Sequence, residues 1–223
     1  NGDTGTTIVT TQLDGLAWSS YDGTSFGATT LSTGAVTINS NGGAIAMTTL
    51  AGGSKDLTIA AGTAGGTTTV SGAVTALGDG TGAALTLANG VTGLVTLQST
   101  VAGNSGISAT GGAQTMRFND DVTLGNGDTG TTIVTTQLDG LAWSSYDGTS
   151  FGTTTVSGNS TINSNAGAIT FGAVTINNAT TLIGGTGDTA AISFGSTVDS
   201  AVGGAGNLTV NTDDTATLSG HIG

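Results

Sequence analysis

The stretch NGDTGTTIVTTQLDGLAWSSYDGTSFG, from Asn1 to Gly27, decides how this chain is interpreted, because it recurs unchanged from Asn126 to Gly152. The two copies are offset by 125 residues. The match then weakens: Thr37–Ser40 returns as Thr161–Ser164 at an offset of 124, so one residue has been lost between the copies. The chain is therefore a tandem array, and its fold and function are those of an array.

This duplication also predicts the domain organisation. Residues 1–125 form a first repeat unit, and residues 126–223 form a second, partial unit. Because the two units share one sequence pattern and follow each other directly, we expect them to form one continuous rod.

The composition predicts an all-β protein without helices. The chain has 41 Gly, no Pro and no Cys. Charged residues make up 7% of it, far below the roughly 25% of an ordinary soluble domain. Frequent Thr, Val and Ile favour strands, and long polar helix formers are almost absent. A mean hydropathy of +0.21, together with recurring short apolar patterns, argues against disorder.

The charge balance excludes several classes of partner. The net charge is −12, and the only basic residues are Lys55 and Arg117. Such a chain offers no surface for phosphates, so nucleic acid and anionic lipid are not predicted partners. No apolar run approaches the roughly 18 residues that span a membrane. The absence of Cys fits a secreted, extracellular protein that is stabilised by stacking.

A short motif of apolar residue, Thr and apolar residue recurs along the chain. It is found at Val36–Ile38, Leu57–Ile59, Leu85–Leu87, Val95–Leu97, Val122–Leu124, Val174–Ile176, Leu208–Val210 and Ala216–Leu218. Alternation with a period of two predicts strands whose apolar residues point inward and whose Thr points outward. Glycine-rich segments between the motifs supply the positive φ angles that sharp corners require.

Two architectures can use this pattern. Asp22-Gly23 and Asn89-Gly90 are signals for antiparallel hairpins, as in a sandwich. The tandem duplication, the small corner residues and the lack of bulky aromatic strands favour a β-solenoid, a parallel β-helix. Turns of roughly 20 residues would give about 11 turns and a rod roughly 50 Å long. We expect the two copies of the aromatic stretch to lie on one face of this rod, roughly 30 Å apart.

The chain carries a family resemblance that covers most of it at the level of sequence pattern. The segments Ile192–Asp199, Asn207–Thr212 and Thr215–Gly220 resemble the β-strand repeats of giant bacterial surface proteins, namely filamentous-haemagglutinin-like adhesins and autotransporter passengers. The resemblance implies a secreted β-solenoid that acts in adhesion or in matrix assembly.

No catalytic residues are predicted. His221 is the only histidine and lies near the end of the sequence, outside the duplicated stretch. The paired carboxylates Asp120-Asp121 and Asp213-Asp214 could suggest glycoside cleavage, but adjacent residues of a strand point to opposite faces. The chain is therefore not expected to be an enzyme.

No cofactor is predicted, although calcium is a possible alternative. The loops Gly125–Gly130 and Gly184–Asp188 echo the Gly/Asp nonapeptide that binds Ca²⁺ in consecutive solenoid turns. Here the nonapeptide does not recur in consecutive turns, so plain turns are the favoured interpretation.

The aromatic residues of the duplicated stretch are the candidate contact residues. They are Trp18, Tyr21 and Phe26, and again Trp143, Tyr146 and Phe151. Exposed aromatics could form a platform for a glycan. The favoured alternative is core packing or self-association. Runs of Thr at Thr67–Thr69 and Thr153–Thr155 are isolated, so a flat Thr ladder of the kind used to bind ice is not predicted.

These observations predict a structural component of an extracellular fibre or surface matrix that assembles with itself, head to tail, into a filament. The alternative is a cell-surface adhesin that binds a glycan or receptor through the repeated aromatic residues. An exposed aromatic groove would favour the adhesin, and buried or self-contacting Trp side chains would favour the fibre.

Overall fold

The computed structural model describes residues 5–60, 66–111, 114–177, 180–185, 190–201 and 206–223. These residues form 25 strands. The strands are β1 (Thr6–Leu13), β2 (Ala17–Ser19), β3 (Thr24–Leu31), β4 (Val36–Asn39), β5 (Ile45–Lys55), β6 (Leu57–Ile59), β7 (Thr68–Val70), β8 (Val74–Leu77), β9 (Leu85–Leu87), β10 (Leu94–Leu97), β11 (Val101–Gly103), β12 (Ile107–Ala109), β13 (Thr115–Phe118), β14 (Val122–Leu124), β15 (Thr131–Asp139), β16 (Ala142–Ser145), β17 (Thr149–Gly158), β18 (Ser160–Ser164), β19 (Ile169–Phe171), β20 (Val174–Ile176), β21 (Thr180–Gly185), β22 (Ile192–Phe194), β23 (Val198–Ser200), β24 (Asn207–Thr212) and β25 (Ala216–Leu218).

The strands pair in parallel as three ladders. Ladder A joins β1, β3, β5, β7, β10, β13, β15, β17, β20 and β23. Ladder B joins β1, β3, β5, β8, β11, β14, β16, β18, β21 and β24. Ladder C joins β2, β4, β6, β9, β12, β15, β17, β19, β22 and β25. The chain visits ladders A, B and C in this order, so each circuit is one turn of a three-sided β-solenoid.

This arrangement confirms the predicted all-β parallel solenoid. The described residues contain no helix, and therefore none that is long and apolar enough to cross a membrane. All eight apolar-Thr-apolar motifs lie in strands. Asp22-Gly23 forms a corner between β2 and β3 instead of a hairpin, and the φ angle of +82° at Gly23 is one that glycine adopts readily.

The number of turns is lower than predicted. The chain makes about 9 turns instead of about 11. One turn takes 18 residues between Thr6 and Thr24 but 28 between Leu57 and Leu85, because the corner loops differ in length. With a strand spacing of about 4.8 Å, the rod is roughly 45 Å long.

The core runs along the solenoid axis as columns of similar side chains. Many of the short strands bury their first and third residues, as in β4 and β6. The parallel register, which shifts only locally in the β5–β8, β8–β11 and β15–β17 pairs, places buried residues over those of the preceding turn. In ladder C the column contains Phe151, Phe171 and Phe194, with ring centroids 5.4 and 5.2 Å apart. The stacking distance follows from the spacing of the strands.

Candidate functional surfaces

The two copies of the duplicated stretch lie on different sides of the solenoid. Trp18 is in β2 of ladder C, whereas Trp143 is in β16 of ladder B. Phe26 is in ladder A, whereas Phe151 is in ladder C. The expectation of one shared face is therefore wrong. Its physical reason is that 125 residues do not make a whole number of turns, so the second copy begins one ladder earlier in the circuit.

Most aromatic side chains of the duplicated stretch belong to the core. Trp143 is 1% exposed and makes edge contacts with Phe118 at 5.3 Å and with Phe151 at 5.0 Å between ring centroids. Phe26 is fully buried and has an edge contact with the half-buried Trp18 at 5.6 Å. These rings fill the interior and form no external groove.

The exposed aromatic residues of the stretch are the two tyrosines. Tyr21 is 72% exposed and Tyr146 is 42% exposed. Tyr21 lies at the corner between ladders C and A, and Tyr146 lies at the corner between ladders B and C. A ligand outside the rod could therefore meet one tyrosine per copy, on different corners.

The same sequence is bare in the first turn and covered in its second copy. Leu16 is 38% exposed, but its counterpart Leu141 is 3% exposed. Val9 is 83% exposed, and its counterpart Val134 is 40% exposed. The second copy is covered because β12, β13 and β14 pair with the β15–β16 segment from the preceding turn. The side of the stretch that faces the preceding turn, its underside, can therefore pair with another solenoid turn.

Acidic residues gather along the corner between ladders B and C. This acidic corner contains Asp14, Asp56, Asp79, Asp128, Asp147, Asp213 and Asp214. Burial raises the pKa of the Asp56 carboxyl above its usual value. The Asp79 backbone N–H donates to this carboxyl at 3.2 Å, which lowers the pKa, and the nearby carboxylates of Asp79 and Asp128 raise it. The corner is therefore a ridge of like charges.

One of the two loops of the calcium interpretation lies wholly within the described residues. In Gly125–Gly130, the Asp128 carboxylate accepts hydrogen bonds from the Gly82 N–H and from Thr129 Oγ1. The Gly184–Asp188 loop lies in part outside the described residues. Within the described ranges, no three His, Cys, Asp or Glu side chains are grouped so that they could hold a metal ion.

The carboxylate pairs have structural contacts in the corners. Asp120 accepts the Asp121 N–H at 2.8 Å, and Asp121 accepts the Ala142 N–H at 2.7 Å. Asp214 accepts from Thr215 Oγ1 at 3.1 Å. These contacts satisfy backbone and hydroxyl donors at strand starts, as capping carboxylates commonly do.

Arg117, one of the two basic residues, joins successive turns. The Arg117 Nε donates to Asp139 Oδ2 at 2.6 Å, and Nη2 of the same guanidinium lies 2.5 Å from this oxygen. Arg117 lies in β13 and Asp139 ends β15, so the ion pair crosses one step of ladder A. It is partly exposed, and its contribution to stability is therefore modest.

Among the residues that the structure describes, the interior offers almost no room for a ligand. An apolar void of about 20 Å³ lies among the core side chains of the third to sixth turns, between residues such as Met47, Leu57 and Ile107. A space of this size holds about one water molecule, and an apolar lining gives that water no partners. This void does not make a binding site.

The outer face of ladder C carries an unbroken column of hydroxyl groups. This hydroxyl column consists of Thr37, Thr58, Thr86, Ser108, Thr132, Ser150, Thr170, Ser193 and Thr217, which are paired from turn to turn. Ser193 Oγ donates to Thr170 Oγ1 at 3.4 Å. Adjacent hydroxyls are spaced by one strand step, about 4.8 Å.

Sequence reasoning missed this column. The outward direction of each Thr in the motifs was predictable from alternation. Their alignment was not, because some motifs lie in ladders A and B, and other members of the column, such as Ser108 and Ser150, lie outside the eight motifs. Only the strand register shows which residues share a side.

The fold and these surfaces define a three-sided parallel β-solenoid. The sequence matches no protein-family model, and neither a curated protein nor a solved structure matches it.

Proposed function

We propose that this chain is a structural segment of an extracellular fibre or surface matrix, in which solenoid turns of successive copies stack head to tail. The observation that carries the proposal is the pair of identical stretches. The second copy accepts a turn on its underside, and the first copy presents the same underside bare.

The opposite end of the described solenoid offers a complementary surface. A recess of about 320 Å³ is lined by apolar side chains that include Leu208, Val210, Leu218 and Ile222. Leu218 is 45% exposed and Ile222 is 63% exposed. A further turn would bury these side chains and would pair with the open edges of β24 and β25. Because the contact joins two different surfaces, it does not close on itself and generates a filament.

The charge distribution is compatible with stacking. The carboxylates lie mainly at the corners, whereas the contacts between turns are made by strand edges and core side chains. At roughly 0.15 M salt, charges more than about 8 Å apart are largely screened, but direct strand contacts are not weakened in this way.

No specific observation favours an adhesin that binds a glycan through an aromatic platform, because Trp143, Phe26 and Phe151 face the core. The extracellular location is part of the proposal and is supported by the resemblance of the sequence to bacterial surface repeats.

The experiment places a carboxylate at two positions of the duplicated stretch. Leu16→Asp changes a residue that is 38% exposed here but whose counterpart Leu141 is 3% exposed under a covering turn, so a stacked turn would have to bury the charge. Val134→Asp adds the same charge at a side chain that stays 40% exposed under its covering turn. Electron microscopy and light scattering should show filaments for the unmodified chain and for Val134→Asp, and separate rods for Leu16→Asp. Separate rods of the unmodified chain at high concentration and physiological salt would contradict the proposal.

A further inference from the structure

A shallow groove of about 290 Å³ crosses three successive turns on the outer face of ladder C. Its lining includes Gly130 and Thr132 of one turn, Gly148 and Ser150 of the next, and Ala168 and Thr170 of the third. The three hydroxyl residues are consecutive members of the hydroxyl column. The groove therefore runs parallel to the solenoid axis.

Hydrogen bonds between turns hold the backbone that forms the floor of the groove, and few side chains cover it. The Thr131 N–H donates to the Gly148 carbonyl at 2.8 Å, and the Thr149 N–H donates to the Ala168 carbonyl at 2.8 Å. A Cβ atom added to Gly130 would lie 2.4 Å from the Gly148 carbonyl oxygen. Gly130 is thus required by the close approach of the turns.

The lining offers hydrogen bonds and no charged partner. No ionisable side chain lines the groove. Each Thr or Ser hydroxyl can both donate and accept a hydrogen bond, so the ligand needs donors and acceptors in a regular row. Asp128 and Asp147 lie at the adjoining acidic corner, two residues before Gly130 and one before Gly148, and their charge repels anions.

We propose that this groove binds an extended segment of a neutral polysaccharide, laid along the solenoid axis. Sugar hydroxyls supply the row of donors and acceptors, and their lack of charge suits the lining. Hydroxyl groups continue beyond the groove at Ser108 on one side and Ser193 on the other. Each contact is weak, and longer oligosaccharides therefore bind more tightly because they engage more turns.

The first copy of the duplicated stretch supplies a matched control. It repeats the lining residues of the second copy, but Ala46 stands where the second copy has Thr170. Thr170→Ala therefore gives the groove a residue that the chain already tolerates at the equivalent position. Ser150→Arg fills the groove at a half-buried outward position, and Ser25→Arg makes the same change in the first copy.

Calorimetry with neutral β-linked and α-linked glucan oligosaccharides of increasing length tests the proposal, with oligogalacturonate and oligolysine as charged probes. We expect affinity for a neutral series to rise with length, to fall at least about tenfold in Ser150→Arg, and to fall measurably in Thr170→Ala. Ser25→Arg should bind like the unmodified chain. Melting curves check that each variant is folded.

Three results would overturn the proposal: no binding of any neutral oligosaccharide at millimolar concentration, equal binding by Ser150→Arg and Ser25→Arg, or preferential binding of a charged probe. The measurements are repeated in the Leu16→Asp background. Binding there without filaments would separate the groove from the assembly of the rod, since the groove does not depend on the proposed fibre.

Discussion

Trp18 and Trp143 occupy the same position of two identical 27-residue stretches, yet they have different hydrogen bonding and burial. The Trp18 Nε1–H donates to Thr24 Oγ1 at 3.2 Å. The Trp143 Nε1–H has no acceptor among the described residues, and the equivalent hydroxyl of Thr149 is paired with Ser145 Oγ at 2.9 Å. The Trp143 indole is thus buried more deeply than that of Trp18, but it lacks the hydrogen bond that Trp18 makes.

The two tryptophans should therefore contribute unequally to stability. Trp143→Ala removes a side chain packed between Phe118 and Phe151 and should lower the free energy of unfolding by about 3–5 kcal/mol. Trp18→Ala should cost clearly less, because that indole is only half-buried in the first turn. Urea unfolding followed by circular dichroism measures both, and equal losses would show that the burial difference is not real.

Asp56 should make stability depend on pH. Its folded-state pKa is raised above the ordinary value of 3.8, so the ionised form weakens folding. This penalty is present above the folded pKa and is relieved as the pH falls through it towards 3.8, because the folded state then holds more protons than the unfolded state. At pH 7, Asp56→Asn should raise the free energy of unfolding by less than about 1 kcal/mol, and the melting temperature should rise with it. The gain should shrink near pH 4.

Asp213→Asn is the control for this change, since it removes one charge from the same acidic corner. An equal gain from Asp213→Asn would attribute the effect to net charge instead of to the surroundings of Asp56.

The close stacking of corner loops should make Gly167 intolerant of a side chain. A Cβ atom at this position would lie 2.0 Å from the Gly148 backbone nitrogen. Gly167→Ala should therefore lower the free energy of unfolding by about 1–3 kcal/mol. At Gly195 the nearest atom to an added Cβ is 3.6 Å away, so Gly195→Ala should have little effect. Thermal melts give the stability of each variant, and equal stability of both would contradict the described loop packing.

Calcium should have no influence on the fold. The Asp128 carboxylate already accepts from Gly82 and Thr129, and these bonds hold the loop without an ion. We expect identical melting curves with excess Ca²⁺ and with a chelator. A large loss of stability in the chelator would instead identify a metal site in the corner loops.

Local structure was predictable from the sequence because it depends on neighbouring residues. The alternation in Val36–Ile38 fixes a strand with two buried residues, and the glycine in Asp22-Gly23 fixes a corner. The relative placement of strands was not predictable in the same way. It depends on how many sides of the solenoid the intervening segment forms, and a residue offset does not give that number, because one turn takes 18 residues and another takes 28. This is why the two aromatic copies and the hydroxyl column could not be assigned to sides.

The one-ladder displacement between copies has a consequence for any longer array with the same offset. Each further copy would be turned by one more side, and a given residue would return to its original side only with every third copy. The exposed tyrosines would then trace a slow spiral around the fibre, although strand pairs remain parallel from turn to turn. The tyrosines would then favour no single flank, and a neighbouring fibre could meet one of them from any of the three directions.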